Sequence, residues 1–506
     1  MNANKRLLRV LVLGLCCLLL CGCTRKITLS AGEFPEDSTS LSLVVQPEDL
    51  ALLDSFPQLQ SADFSGSLCY DELLAWADAH PQTTVTYTIA LPDGQNVPHD
   101  AEHLDLSGMD AGTLEKSLPL FSYLPAVQAI QLPENLSLAQ LQAVAASCPD
   151  AVLSFRTQVS GLTVSPEVRE LDLSRRDAAA VGELLPWFPF MPALEKISLG
   201  SEDGRLSWDD VEAVNTACPE AVLDYSFTLY GNSYTLSDAV MDLNHIPIED
   251  EGALVRQIAV CMNDLQTLDM DSCGVSDEAM AAIRDVLPGT EVIWRIWFGE
   301  RYSVRTDVER ILASNPGMGG ELTGENTGSL KYCTKVRYLD LGHNSWLDDI
   351  SFVSCMPELE VAVLAMGNWA DISGLANCPK LEYAELQTSC LNDLRPLTGL
   401  QNLRHLNIAY CMALTDISPL FEMPALERLW IGRLTPIPRE QVAKYKELFP
   451  NCEVNTGTLD PTEGGWRRVH TEFGLKDVPR YELLRDQFQY QLGIGAYSYY
   501  YNDPLY

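Results

Sequence analysis

Five segments of one pattern occupy the sequence between Val336 and Ile431, and their starts are 23, 22, 22 and 23 residues apart. They read Val336-Arg-Tyr-Leu-Asp-Leu341, Leu359-Glu-Val-Ala-Val-Leu364, Leu381-Glu-Tyr-Ala-Glu-Leu386, Leu403-Arg-His-Leu-Asn-Ile408 and Leu426-Glu-Arg-Leu-Trp-Ile431. The first, fourth and sixth places are apolar throughout, apart from alanine at the fourth place in two copies. A unit this short cannot enclose its own apolar side chains; only stacking on its neighbours gives a continuous core. The repeat therefore demands a stack of turns, with each turn packed on the one before it.

A second element keeps the same phase. Asp349-Ile350, Asp371-Ile372, Asp393-Leu394 and Asp416-Ile417 follow the strands, and Val353, Leu375, Leu397 and Leu420 follow them in turn. At the ninth place, Asn344 and Cys411 have the character of a residue tucked beneath the next turn. The pattern L-x-x-L-x-L-x-x-N/C, together with Asp416-Ile-Ser-Pro-Leu420, resembles internalin-like leucine-rich repeats. That resemblance covers Val336 to Ile431 closely and the upstream half loosely. It implies an α/β solenoid with parallel strands on the concave face, helices or irregular turns on the convex face, and a C-terminal cap. Such repeats serve adhesion, signalling and scaffolding alike, so the likeness speaks for fold first.

Upstream the beat is longer. Pro57, Pro125, Pro192 and Asn263 head matching segments at spacings of 68, 67 and 71. His80-Pro81, Cys148-Pro149, Cys218-Pro219 and Leu287-Pro288 repeat in parallel, each before a β-rich run such as Val85 to Ile89. Each unit reads as two turns. The first is a strand such as Leu194 to Leu199 and a helix from Trp208 to Ala217, N-capped by Ser207. The second opens with the β-rich run and a Gly or Asn turn, as at Gly231-Asn232, and continues into Leu104-Asp-Leu106 or its equivalents. Cys273 holds the same ninth place as Cys411. The divisions expected are 45–313 for the long-period array, 314–332 for a glycine-rich junction, 333–457 for the 22-residue repeats and 458–506 for an aromatic-rich cap over the last exposed turn. The alternative for the aromatic tail, which includes Trp466, Phe473, Tyr481, Phe488 and Tyr490, is a contact surface for a partner.

The N-terminus has its own signature. Lys5, Arg6 and Arg9 precede an apolar run from Val10 to Cys21, too short for a hydrocarbon core of ~30 Å and suited to a cleaved secretory signal over 1–22. Leu20-Cys21-Gly22-Cys23 resembles a bacterial lipobox, which implies acylation of Cys23 and anchorage to the bacterial cell membrane from outside the cytoplasm. Residues 23–44, largely polar to Ser40, are expected to form the tether. Removal of 1–22 takes three of the 34 basic residues and none of the 70 acidic ones, so the body carries a formal charge of −39. That charge opposes nucleic acid and anionic headgroups. The eleven cysteines beyond Cys23 contain no CxxC, and mostly free, packed thiols are expected.

Little points to catalysis, to a metal or to a cofactor. H-E-x-x-H and G-x-S-x-G are absent, and no P-loop lysine follows the Asn315 to Gly320 glycines. His99 and His103 are four apart but straddle a Pro98 turn, which favours surface residues over metal ligands. The residues between the core leucines stand instead on the concave strand face. Tyr338, Asp340, Tyr383, Glu385, His405, Asn407, Arg428 and Trp430 form the candidate recognition row, since aromatic and arginine side chains anchor protein interfaces. The expected role is recognition of a protein ligand, with a glycan ligand or a purely structural envelope role as alternatives.

Overall fold

The computed structural model describes residues 25–299, 302–314, 321–459 and 465–488. The signal segment and Cys23 lie outside these residues, as do Tyr490 and the tyrosine run beyond it. The chain forms two compact units, residues 1–225 and 226–506.

In the first unit, short parallel strands alternate with helices. Ser40–Ser42, Ser61–Asp63 and Thr84–Thr86 make one sheet, and His103–Asp105, Ala129–Gln131 and Val152–Ser154 the next. Glu170–Asp172 pairs with Lys196–Ser201 in the same sense. Along most of these strands only the central side chain is buried, as with Leu41, Leu104 and Leu171, while its neighbours face solvent. The helix Trp208–Ala217 begins where expected. The Ser207 hydroxyl accepts the Asp210 amide and the Asp210 carboxylate accepts the Ser207 amide, a capping box that satisfies two orphan donors.

Two expectations are corrected here. The proposed tether is folded: Lys26–Leu29 and Gly32–Pro35 form an antiparallel hairpin, and Ile27, Leu29 and Leu41 are buried. Its apolar residues alternate, which suits a strand and not a solvated linker. Each long unit, expected as two turns, also has three parallel strands. The β-rich run breaks in the middle, so that Thr84–Thr86 joins the parallel sheet while Thr88–Ala90 turns away into a hairpin with Asn96–Pro98. The same hairpin recurs at Thr157–Val159 with Leu162–Val164.

The second unit holds two further hairpins of this kind, one closed through Tyr230-Gly231 and one pairing Arg295–Phe298 with Tyr302–Arg305. Tyr230 and Gly231 have φ of 50° and 88°, the two left-handed positions of a tight hairpin turn, and glycine supplies the second without strain. The sheet of Val240–Asp242, Thr267–Asp269 and Glu291–Ile293 is followed by an unbroken parallel sheet of seven strands: Arg310–Leu312, Tyr338–Asp340, Val361–Val363, Tyr383–Glu385, His405–Asn407, Arg428–Trp430 and Glu453–Asn455. The array thus starts at 310, ahead of the expected 333. The expected junction contributes a 3-10 helix, Glu325–Tyr332, with Thr327 and Leu330 fully buried.

The phase-locked residues act as their spacing implies. Leu339, Leu406 and Leu429 are fully buried on the core side, as are Val353, Leu375, Leu397 and Leu420 beneath the opposite turns. Asp349, Asp371, Asp393 and Asp416 each accept the amide two residues ahead at 2.7–2.9 Å, which starts the 3-10 turn. Asn344, with no exposed surface, donates to the Ala313 and Leu341 carbonyls at 2.9 Å. Cys411 reaches the Leu386 carbonyl at 3.4 Å and Cys273 the Leu243 carbonyl at 3.0 Å. All eleven described cysteines are free thiols, and of these Cys355 and Cys390 alone are exposed.

Candidate binding face

Side chains alternate across a strand, so the leucines of the seven-stranded sheet face the core and the recognition row faces the other way. Tyr338, Asp340, Tyr383, Glu385, His405, Asn407, Arg428 and Trp430 do stand on that second face. They are not open to solvent: none is more than 8% exposed. The strands from Tyr338 to Trp430 are buried at all three positions, whereas most upstream strands bury only one.

The cover is the chain's own residues 465–488. Their hairpin, Arg468–Thr471 with Gly474–Asp477, leads into the helix Pro479–Gln487. Trp466 is fully buried, with ring centroids 5.3 Å from Tyr383, 5.8 Å from His405 and 5.4 Å from Trp430. Tyr481, Leu484 and Phe488, spaced for one side of a helix, join Tyr338, Val361, Val363 and Tyr383 in a single apolar cluster. The segment expected to close the last turn therefore lies along the strand face. The physical reason is area: five strands bearing Tyr, Val and Trp would expose far more apolar surface than one terminal turn does.

Glu385 is the electrostatic centre. It has no exposed surface and accepts from Tyr383 Oη, from Gln387 Nε2 at 3.1 Å, from Trp466 Nε1 at 2.8 Å and from Arg467 Nε at 2.7 Å, with a second bond from Arg467 Nη2. Burial pushes its carboxyl up, but the Arg467 charge and these donors outweigh burial and hold it below its ordinary value. Tyr383 is displaced well upward, by burial first and then by Glu385 beside it. At the rim, Arg480 binds Glu382 at 2.7 Å and Glu427 at 2.7 and 3.0 Å, and Gln487 donates to Glu360 at 2.9 Å. Arg428 donates to the Gly465 carbonyl and carries its guanidinium 4.6 Å from the Trp430 ring centroid.

His405 is pushed down to about 3, by burial first and then by Arg428 and Arg480, with Glu427 pulling the other way. Asp340 and Asn407 play a different part. Their side chains accept the Gly342 and Ala409 amides at 2.9 and 3.1 Å and so hold the turn that leaves the strand.

Sequence reasoning passed over Val361 and Val363, and it missed Arg467, Arg480 and Leu484. The signal for the tail residues was available: arginines at 467, 480 and 485 with apolar residues at 481, 484 and 488, in a chain otherwise rich in acid. Phe473, one of the tail aromatics, is 99% exposed at the hairpin tip. His99 packs its ring 4.5 Å from Tyr87 and His103 is exposed on its strand; among the described residues no cluster of His, Cys, Asp and Glu could hold a metal ion.

No family model and no curated protein sequence matches the chain. Among solved structures, it is similar to an internalin from Listeria monocytogenes at 14% identity, covering 67% of this chain and 78% of that one, with a TM-score of 0.24. A leucine-rich-repeat protein of Leptospira interrogans matches at 12% identity over 79% of this chain and 91% of that one, with a TM-score of 0.25. The leucine-rich-repeat ectodomain of a membrane receptor kinase from Arabidopsis thaliana, solved in complex with Casparian strip integrity factor 2, matches at 14% identity over 82% of this chain and 46% of that one, with a TM-score of 0.23. The repeat architecture itself rests on the strand registers of this chain.

Proposed function

We propose that this chain is an extracytoplasmic leucine-rich-repeat protein, acylated at Cys23 and held at the bacterial cell membrane, that binds a polypeptide through the strand face of its 22-residue repeats. One observation carries the reading: that face already receives a polypeptide segment, with packed rings at its centre and a buried carboxylate paired to an arginine. Central aromatic anchors, desolvated charge and a polar rim are the features of a protein-binding surface. The alternative is a structural envelope protein, favoured by the same segment if it is a permanent part of the core.

A photo-crosslinking residue at Glu360 or Arg404, beside the strand face, separates the two. Crosslinks to a polypeptide from these positions, and none from Asp393 or Glu422 on the far turns, support binding. Equal or absent labelling at all four positions favours the structural role. The anchor has a separate test. Cys23→Ala should move the protein from the membrane fraction to the soluble one, and unchanged membrane association overturns acylation at this cysteine.

A further inference from the structure

The tail that covers the strand face is held by its two ends. Trp466 and Arg467 fill the centre, and the helix Pro479–Gln487 lies along the rim, while the hairpin between them is largely exposed, with Val469, Phe473 and Leu475 in solvent. The contacts are also unevenly satisfied. His405 Nδ1, Gln387 Oε1, Arg428 Nε and Tyr481 Oη are buried at this interface without a hydrogen-bond partner. Each lost bond to water must be replaced in a permanent core, and four of the seven such atoms among the described residues gather at this one face. The face therefore offers more donors and acceptors than the tail uses.

Its charge says what else would fit. Glu385 at the centre and Glu382, Glu427 and Glu360 around it take Arg467, Arg480 and Gln487 of the tail, while Arg468 and Arg485 pair with acids of the tail itself. We propose that this face is a receptor site for a basic, aromatic polypeptide segment supplied by another protein, and that residues 465–488 are its built-in competitor. The incoming segment places an aromatic ring among Tyr383, His405 and Trp430 and an arginine on Glu385, as Trp466 and Arg467 do. This inference rests on the strand face being the binding face. It adds the chemistry of the partner and the means by which the free protein stays shut.

A tethered occupant lowers apparent affinity by the fraction of molecules in which the face is open. Weakening the tail must therefore tighten binding in trans. The probe is a fluorescein-labelled peptide of residues 465–488, titrated by anisotropy against the full chain. Trp466→Ala/Arg467→Ala in the protein is expected to bind it at least about tenfold tighter than the parent. Adding Glu385→Gln to that variant is expected to remove most of the gain, and a scrambled peptide should bind neither. A folded double variant that binds no tighter, or equal binding of the scrambled peptide, overturns the proposal. Should the double variant not fold, hydrogen exchange on the parent decides. Amides of Arg480–Gln487 exchanging at least 100-fold faster than those of Tyr383–Glu385 support a displaceable tail, and equal protection refutes it. Failure here with crosslinking retained at Glu360 or Arg404 would leave the binding face in place and remove only the tail's role as competitor.

Discussion

His343, Met366, Thr388 and Tyr410 stand at one place in successive turns and have φ between 61° and 63°. The left-handed region brings Cβ against the following carbonyl, at roughly 1–2 kcal/mol for an L residue, and β-branched threonine suits it least. The bend persists because these amides bridge to the next turn: Met366 to the Gln387 carbonyl and Thr388 to the Ala409 carbonyl, both at 2.9 Å. Thr388→Gly should therefore raise stability by roughly 0.5–1 kcal/mol after the entropy of glycine is deducted, read as a higher unfolding temperature; a lower one would show the bend to be unstrained. His405 gives a pH dependence. The unfolded imidazole takes a proton near 6.5 and the folded one only near 3, so stability is complete above the first value and falls as pH drops toward the second. Its largest slope is about 1.4 kcal/mol per pH unit, and His343, also lowered by burial, adds in the same sense. Thermal unfolding at pH 7 and pH 5 should show a loss that His405→Asn reduces; an unchanged loss would place the effect elsewhere. Neither residue's environment was legible in sequence. Periodicity reports which face a side chain takes, and the partner of Glu385 lies 82 residues away in the chain.

At the scale of the element, the reading succeeded where one side chain has one task. The leucines, the Asp turn-starters, Asn344, Cys411 and the Ser207 cap were all found from spacing, because each fills a place that recurs in every turn. Leu406, with no exposed surface, lies between neighbours in both directions, and Leu406→Ala should cost about 2–5 kcal/mol in denaturant unfolding. A cost under 1 kcal/mol would mean that adjacent turns close the gap. The hairpins were half legible. A β-rich run has the same alternation whether it pairs on one side or changes partner midway, so Thr84–Thr86 and Thr88–Ala90 read as one strand. What marks the break is the ladder itself, parallel to Ser61–Asp63 and then antiparallel to Asn96–Pro98. Arg295 shows how such a hairpin is secured: its guanidinium meets the Asp271 carboxylate at 2.7 and 2.8 Å, and both groups are buried.

For the whole molecule, the stack of turns was readable from five aligned copies, whereas its limits were not. Terminal turns depart from the consensus, so Arg310–Leu312 was assigned to the long-period array and the Lys26–Leu29 hairpin to the tether. The tail was misplaced for a related reason: composition marks an aromatic segment without saying which apolar surface it meets. The start of the fold bears on how the molecule works. The Arg25 carbonyl already accepts the Glu36 amide at 2.7 Å. An unfolded stretch over 23–44 would have acted as a leash, giving a reach of roughly 25 Å by random-coil scaling. With Cys23 acylated, almost none of that slack remains. The first unit would then begin at the bilayer itself, and any partner would have to come to the membrane surface rather than be sought on a long leash.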